Sequence, residues 1–451
     1  MPDDLFTRNG AEVIFGQVAD FARAQGVREV EAVIAGGEHA LTRFANNTIH
    51  QNVAERAGHL SVRCLIDGRT ARASTNRFDK DGIREVVEAA IAITRLTEPD
   101  PDLLPLAEPA EYPELRRWYA ATAQASPQER ALAVAEAVAA VEDKGQTAAG
   151  IYSTGASGFA LLNSRGVFGW HGETSARFSI TAMTADSSGW AKAGAGYYGD
   201  LSPLQLAVTA AGKAERSREP KAIPPGRYTV VLEPAAVLDL VGQMFGDFSA
   251  TAIRDGRSFL VDRANQKLFG ENITIHDDCL DPLQAGPPFD GEGVPRRRLR
   301  LVERGSVCEV AYSRAAAARA GVPPTGHGFP LPNELGEAPG NIVFAGGDAS
   351  LNEMIESTER GILVTRFWYI REVDPYEKIF TGMTRDGTFL IEGGEIAAGV
   401  RNFRFNQSLI ELLSNVEMLS PAVRASGEES IDMVVPAMKV RNFNLTEVTR
   451  F

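Results

Sequence analysis

The sequence predicts an α+β protein in which a duplicated unit of helix, antiparallel strands and helix is followed by a mostly β region with hairpins. Three observations point there. Segments with apolar residues at helical spacing bracket groups of short alternating runs, and this order occurs twice before residue 220. A proline-rich joint at 221–227, KAIPPGR, separates that part from the remainder. Beyond the joint, turn dipeptides punctuate one β-prone run after another.

The first helix is expected over 11–24, where Val13, Ile14, Val18, Phe21 and Ala22 recur at three- and four-residue spacing and Gly26 closes the segment. Five runs follow, REVEAVIAG, HALTRFANN, TIHQNVAER, HLSVRCLID and RTARASTN, with Gly36-Gly37, Asn46-Asn47, Gly58 and Asp67-Gly68 as separators. They read as a meander of short strands. A helix over 80–94 completes the unit, and the acid- and proline-rich stretch from residue 98 opens a linker over 98–125. The second copy begins at Ser126-Pro127-Gln128-Glu129, which combines an N-cap serine, proline at the first helical position and a capping-box glutamate. Strand-like runs and a helix over 203–216 complete it. The expected organisation is an N-terminal α+β domain, 1–220, duplicated as 1–97 and 126–220, and a C-terminal β-rich domain, 221–451. Two copies argue for duplication, since a solenoid needs at least about three repeats.

In the C-terminal part, YTVVLEP reads as a buried strand, and 235–252 as a helix with Val237, Val241, Met244, Phe245 and Phe248 on one face. Spacing alone explains that face as core. NITIHDD, RRRLRLVERG and SVCEVAYS read as strands, and the glycine- and proline-rich stretch around TGHGF as a loop. The stretch 348–369 changes period once. Ser350 and Glu353 form a capping-box pair, Gly361 is the expected helix stop, and the bulky residues from Ile362 to Tyr369 suit a strand buried on both faces. Asp386-Gly387 and Gly393-Gly394 are read as two-residue turns of a hairpin ladder, and MVVPAMKVRNFN as one or two last strands.

The chain has 451 residues, 44% hydrophobic and 23% charged, with a formal net charge of −13. That charge repels a phosphate backbone, so general nucleic-acid binding is disfavoured. No apolar run approaches the roughly 18–20 residues needed to span a bilayer, and Met1-Pro2-Asp3-Asp4 lacks the basic start of a signal peptide. A cytosolic location is expected. Cys64, Cys279 and Cys308 are widely spaced and fit reduced thiols.

Candidate chemistry is sparse. His276, Asp277, Asp278, Cys279 and Asp281 lie close in sequence, with Cys308 on a following strand, but no second His or Cys pair completes a zinc pattern. An acidic turn beside a buried thiol is the simpler reading. His327 sits in the flexible-looking TGHGF loop, where it could face a cleft, although a lone loop histidine is more often without a functional role. Glu353, Glu356 and Glu359 make an acidic stripe that reads as a solvated or capping face. Arg296, Arg297 and Arg298 alternate across a strand and cannot converge on one ligand. No nucleophile elbow, Walker A loop or dinucleotide fingerprint is present.

The segments STERGILVT, TGMTRDGTFLIEGGEI and GVRNFRFNQSL resemble the C-terminal part of the TldD/PmbA family, proteins once named modulators of DNA gyrase, and the resemblance extends along nearly the whole chain. Catalytic TldD-like members carry H-E-x-x-x-H on the helix after the strand that YTVVLEP matches, with a glutamate able to act as base to a metal-bound water. Here the matching stretch is Gly242-Gln243-Met244-Phe245-Gly246-Asp247, with neither histidine and glutamine for glutamate. The family's further cysteine ligand is also missing, because no cysteine follows Cys308.

The chain therefore resembles the PmbA (TldE) side of the family. That implies a non-catalytic subunit of a zinc metallopeptidase acting on unfolded peptides or peptide precursors, with no metal of its own and zinc in a TldD-like partner. The expected assembly is a heterodimer with that partner or a homodimer, lining a channel for an extended peptide that His327, Glu353 and Glu356 are candidates to contact. Two alternatives stay open. One is a self-associating binding protein that does not cleave. The other is an independent hydrolase with a rearranged site around Asp247 and His276, His327 or Cys308.

Overall fold

The computed structural model describes residues 7–449. The Met1-Pro2-Asp3-Asp4 start lies outside them. The chain begins with α1 (Arg8–Ala24), β1 (Glu29–Ala45), β2 (Thr48–Ile66), β3 (Arg69–Thr75) and α2 (Lys80–Leu96). After a linker with a single helical turn, α3 (Ala120–Ala123), come α4 (Pro127–Glu142), β4 (Thr147–Asn163), β5 (Phe168–Met183), β6 (Ser188–Ala195) and α5 (Pro203–Arg216). The six strands flanking the linker form one antiparallel sheet of order β3-β2-β1-β4-β5-β6, with the two copies meeting at β1 and β4.

The strands are longer and fewer than the turn signals suggest. Asn46-Asn47 and Asp67-Gly68 do form tight turns, with positive φ at all four residues. Gly36-Gly37 and Gly58 do not; they sit inside β1 and β2. Register explains the error. Gly58 pairs with Gly36, Gly36 with Gly158 and Gly158 with Gly172, so the glycines form one row across four strands. A glycine inside a strand marks a bend or a close approach as readily as an end.

Even-numbered residues of β1 point to one face. Val30, Ala32 and Ile34 pack with α1 and α2, and Phe44 packs with α4 and α5. The β1–β4 register has no slip between them, so all four helices cover the same face. The opposite face meets the C-terminal part, where Val33 and Leu161 pack with Phe289.

The C-terminal part runs through β7 (Gly226–Leu232), α6 (Pro234–Val241), a 3₁₀ turn (Gly242–Asp247), α7 (Ala250–Arg254), β8 (Ile275–Asp277), β9 (Leu299–Glu303), β10 (Ser306–Val307), α8 (Arg314–Ala320), β11 (Ile342–Phe344) and α9 (Leu351–Glu356). It continues with β12 (Arg360–Asp374), β13 (Ile379–Glu392), β14 (Glu395–Gly399), β15 (Phe403–Ser408), α10 (Leu409–Ser414), β16 (Val416–Leu419), β17 (Val423–Ala425), β18 (Met433–Val435) and β19 (Met438–Val448). Strands β12, β7, β19, β15 and β13 close on themselves through the β12–β13 pairing, giving a small barrel. Its interior includes Phe367, Phe405 and Phe443, whose ring centroids lie 4.9, 5.7 and 5.6 Å apart in pairs. A second, mixed sheet has the order β10-β9-β8-β11-β18-β17.

Three details differ from expectation. The helix expected over 235–252 is broken into α6, the 3₁₀ turn and α7, because Gly242 and Gly246 are poor helix formers and Ser249 caps a new helix. Gly361 does not stop α9, which ends at Ser357, and lies inside β12 instead; Glu359 is therefore off the helix. Asp386-Gly387 is a bulge within β13, whereas Gly393-Gly394 is the β13–β14 turn. The capping boxes at Ser126/Glu129 and Ser350/Glu353 form as read.

Candidate functional site

The degenerate stretch 242–247 lies where α6 runs into its 3₁₀ turn, and a polar strap, Ser426-Gly427-Glu428-Glu429-Ser430, crosses that end. Asp239 on α6 anchors it. The Asp239 Oδ1 accepts from the Glu428 and Glu429 amides, each at 3.0 Å. The approach is close enough that a Cβ at residue 427 would come within 2.2 Å of Oδ1, which explains glycine there. Lys192 on β6 donates to the Gly427 carbonyl at 2.6 Å and to Glu428 at 3.1 Å. Gln243 donates to the Glu429 carbonyl at 3.0 Å. The Glu429 carboxylate accepts from the Tyr369 amide at 2.8 Å, where Tyr369 has φ of 57° in a bulge of β12.

Asp239 is fully buried, and its Oδ2 has no hydrogen-bond partner. Burial pushes this carboxyl up to about 6 against the help of the strap amides. Beside it, Arg366 pairs with Asp386 and lies over the Trp190 and Trp368 rings at 5.0 and 5.5 Å. Asp386 in turn accepts from the Ser188 hydroxyl at 2.6 Å, which ties β13 to β6.

Zinc-binding groups do not fit this end of α6. A Cβ added at Gly242 would lie 2.0 Å from Ser430 Oγ, so the strap occupies the space a ligand side chain would need. The Gln243 amide is spent on carbonyls of Asp239 and Glu429. Asp247 is buried and paired with Lys378 at 2.6 Å, while its Oδ1 accepts from the Phe259 amide at 3.1 Å.

The other sequence candidates are dispersed. His327 is buried, with Nε2 2.9 Å from Asp277 Oδ1 and Nδ1 3.0 Å from the Thr325 hydroxyl. Asp277 also accepts from the Gly340 and Asn341 amides; burial opposes its charge, but His327, Arg296 and the Asn341 amide together outweigh this and leave its pKa lowered. Cys279 is buried and its thiol is pushed up to about 11 by burial, whereas Cys308 is exposed. His276 is half-buried on β8, and its pKa is lowered by burial and by Arg298. Glu353 caps α9, and Glu356 is exposed at the end of that helix. Arg297 and Arg298 go to Glu309 and Asp278, while Arg296 leans on the Phe289 carbonyl. Among the described residues no three His, Cys, Asp or Glu side chains converge as metal ligands would, and no helix is long and apolar enough to cross a membrane.

Sequence reasoning missed the strap. A run of glycine, glutamate and serine carries no periodicity and reads as surface loop; only Gly242 and Gln243, unexplained on their own, hinted that something packs there.

Residues 30–94 match the PmbA/TldA metallopeptidase domain 1, 121–218 the central domain, and 225–447 the C-terminal domain. The chain belongs to the PmbA/TldD family. Metalloprotease PmbA of Escherichia coli O157:H7 is 23% identical over 85% of this chain and 85% of its own. A metalloprotease of Methanothermobacter thermautotrophicus is 28% identical over 58% of this chain, and the match spans 59% of that relative's length. In fold, the chain superposes on TldE from Thermococcus kodakarensis with a TM-score of 0.87 at 21% identity, over 96% of this chain and all of that one. A protein described as a modulator of DNA gyrase from Thermotoga maritima gives 0.86 at 21% identity, with the same coverage.

Proposed function

We propose that this chain is the non-catalytic, TldE-like subunit of a zinc metallopeptidase, pairing with a TldD-like subunit that carries H-E-x-x-x-H and supplies the zinc. Substrates are unfolded peptides or peptide precursors, and the setting is the cytoplasm, which the three free cysteines fit. One observation carries the reading: the α6 end that matches the family's metal-binding helix holds Gly242, Gln243 and a paired Asp247, and the strap fills the space over them. A site so built has neither ligands nor room for a metal.

The chain's contribution is then shape. Outside its pairing with β1, strand β2 meets β3 only from Leu60 onward, so among the described strands none pairs with its outer edge at 48–55, and these residues are exposed on both faces. An extended peptide can add to such an edge through main-chain hydrogen bonds with little sequence preference. The test is reconstitution. The chain and a TldD-like subunit from the same organism should co-purify, and peptide hydrolysis should require both; hydrolysis by the TldD-like subunit alone at the full rate would remove the need for this chain.

The free edge also gives the second reading, a self-associating protein that holds peptides without cleavage, its support. It predicts peptide binding with no hydrolysis in any combination of subunits.

A further inference from the structure

A cleft of about 560 Å³ opens on the sheet face that carries no helices, between that face and the 282–285 loop. Strand register builds its floor in three rows. The first is Gly37, Ser157 and Glu173; the second is His39, Gly155 and Ser175; the third is Leu41, Ser153, Arg177 and Gly194. Glycine keeps the floor low, since a Cβ at Gly155 would meet His39 Nδ1 at 2.4 Å. The hydroxyls of Ser153, Ser157 and Ser175 point from two neighbouring strands into one space, and none has a hydrogen-bond partner among the described residues.

Arginines wall the cleft: Arg116, Arg117, Arg177 and Arg424, against the carboxylates Glu173 and Asp200. That is a local excess of positive charge in a chain whose formal net charge is −13. The arginines are also under-neutralised. Arg177 and Arg424 share a single carboxylate oxygen, Asp432 Oδ2, each at 3.1 Å, and Arg424 Nε is buried without a partner. Among the described residues, the Arg117 guanidinium donates to the backbone carbonyls of Gly286, Cys279 and Asp281. Arg116 is exposed and has no partner among the described residues. Glu173 is already engaged by the Gly286 amide at 2.7 Å and by His171. The stacked pair Tyr119 and Tyr197, 5.5 Å apart, forms part of the rim.

Unpaired hydroxyl donors on a floor and forked guanidinium donors on the walls match an oxyanion, and a guanidinium meets a carboxylate through two parallel hydrogen bonds. We propose that this cleft is a carboxylate-binding site for peptide, taking the C-terminal carboxylate or an acidic side chain of an extended chain. The proposal rests on reading the protein as a peptide-handling subunit, and it assigns that role a place and a charge preference.

The test uses the full chain alone and fluorescence anisotropy with three labelled peptides of one otherwise neutral sequence: C-terminal amide, free C-terminal carboxylate, and C-terminal amide with one internal glutamate. At least one carboxylate peptide should bind about tenfold more tightly than the neutral one, and which one identifies the source of the carboxylate. Arg116→Ala with Arg177→Ala should abolish the difference while leaving the urea midpoint near that of the native chain. Ser153→Asp, which sets a fixed carboxylate opposite Arg177, should abolish it too and serves if the arginine variant folds poorly. Equal binding of all three peptides, no binding of any, or a preference that survives in both variants would overturn the proposal. The subunit reading fails separately, since it is scored on partner-dependent hydrolysis.

Discussion

The strap over α6 and the serine cleft adjoin one another along the chain. Arg424 walls the cleft, residues 426–430 form the strap, and Asp432 returns to bind Arg177 and Arg424. They differ in how most of their polar groups are used, although Asp239 Oδ2 and Ser426 Oγ at the strap are also without partners. Under the strap, amides, amide side chains and ammonium groups are consumed by partners within the chain, and the space is filled. In the cleft, the Ser153, Ser157 and Ser175 hydroxyls, the Arg116 guanidinium and Arg424 Nε are without partners among the described residues, and the space is open. On the proposed reading, the stretch 242–247 serves structure, and the binding capacity lies in the cleft next to it. Buried polar groups closed by the protein itself contribute to stability, whereas polar groups left unpaired at an accessible surface await a ligand.

The largest effect should come from forcing the closed site open. Restoring the zinc pattern with Gly242→His, Gln243→Glu and Asp247→His drives a side chain into Ser430 and strips Lys378 of its buried partner. Overpacking, together with the loss of one of the two carboxylates on buried Lys378, which keeps Glu372 at 2.7 Å, predicts a loss of about 3–6 kcal/mol. Urea denaturation and metal analysis would check it; a stable variant with bound zinc would mean that the strap yields easily. Next, Asp239→Ala leaves the Glu428 and Glu429 amides without their acceptor and should cost about 2–4 kcal/mol.

A pH series sharpens the same contrast. Asp239 is held at about 6 in the fold, above its ordinary 3.8, so the unfolded chain gives up this proton first. Its contribution favours the folded state at low pH and is lost as pH rises from about 4 to about 6. Asp239→Asn has no such proton, so the variant should gain on the native chain by up to about 3 kcal/mol between pH 4 and pH 7, measured as the difference in urea midpoints. Glu292, pushed up to about 7 by burial and by neighbouring Asp290, adds a loss of the same sign at higher pH in both proteins and cancels in the comparison. Smallest of all, Ser157→Ala in the cleft should change stability by less than about 0.5 kcal/mol. A larger loss would mean that the hydroxyl is structurally engaged, contrary to the open character assigned to the cleft.

Local signals in the sequence located the helices well. The proline and capping boxes set the starts of α4 and α9, and α5 runs over the expected 203–216. These features depend on residues within one turn of each other. The errors arose where a residue's meaning depends on a distant strand. Gly36 and Gly58 look like punctuation until register aligns them in a row. His327 looks like a loop histidine until Asp277, fifty residues away, is seen to bury it. That 242–247 holds no histidine is read directly from the residue types. The strap that fills the gap was not legible in this way, and neither was the cleft, whose serines come together only through the pairing of β4 with β5.

The measurement that tests the central claim most directly is the metal content of the chain purified alone, without chelator and without a metal-affinity tag, read beside peptide hydrolysis with and without the TldD-like subunit. The account predicts near-zero zinc and hydrolysis only when both subunits are present. About one zinc per chain, with hydrolysis by the isolated chain, would contradict it.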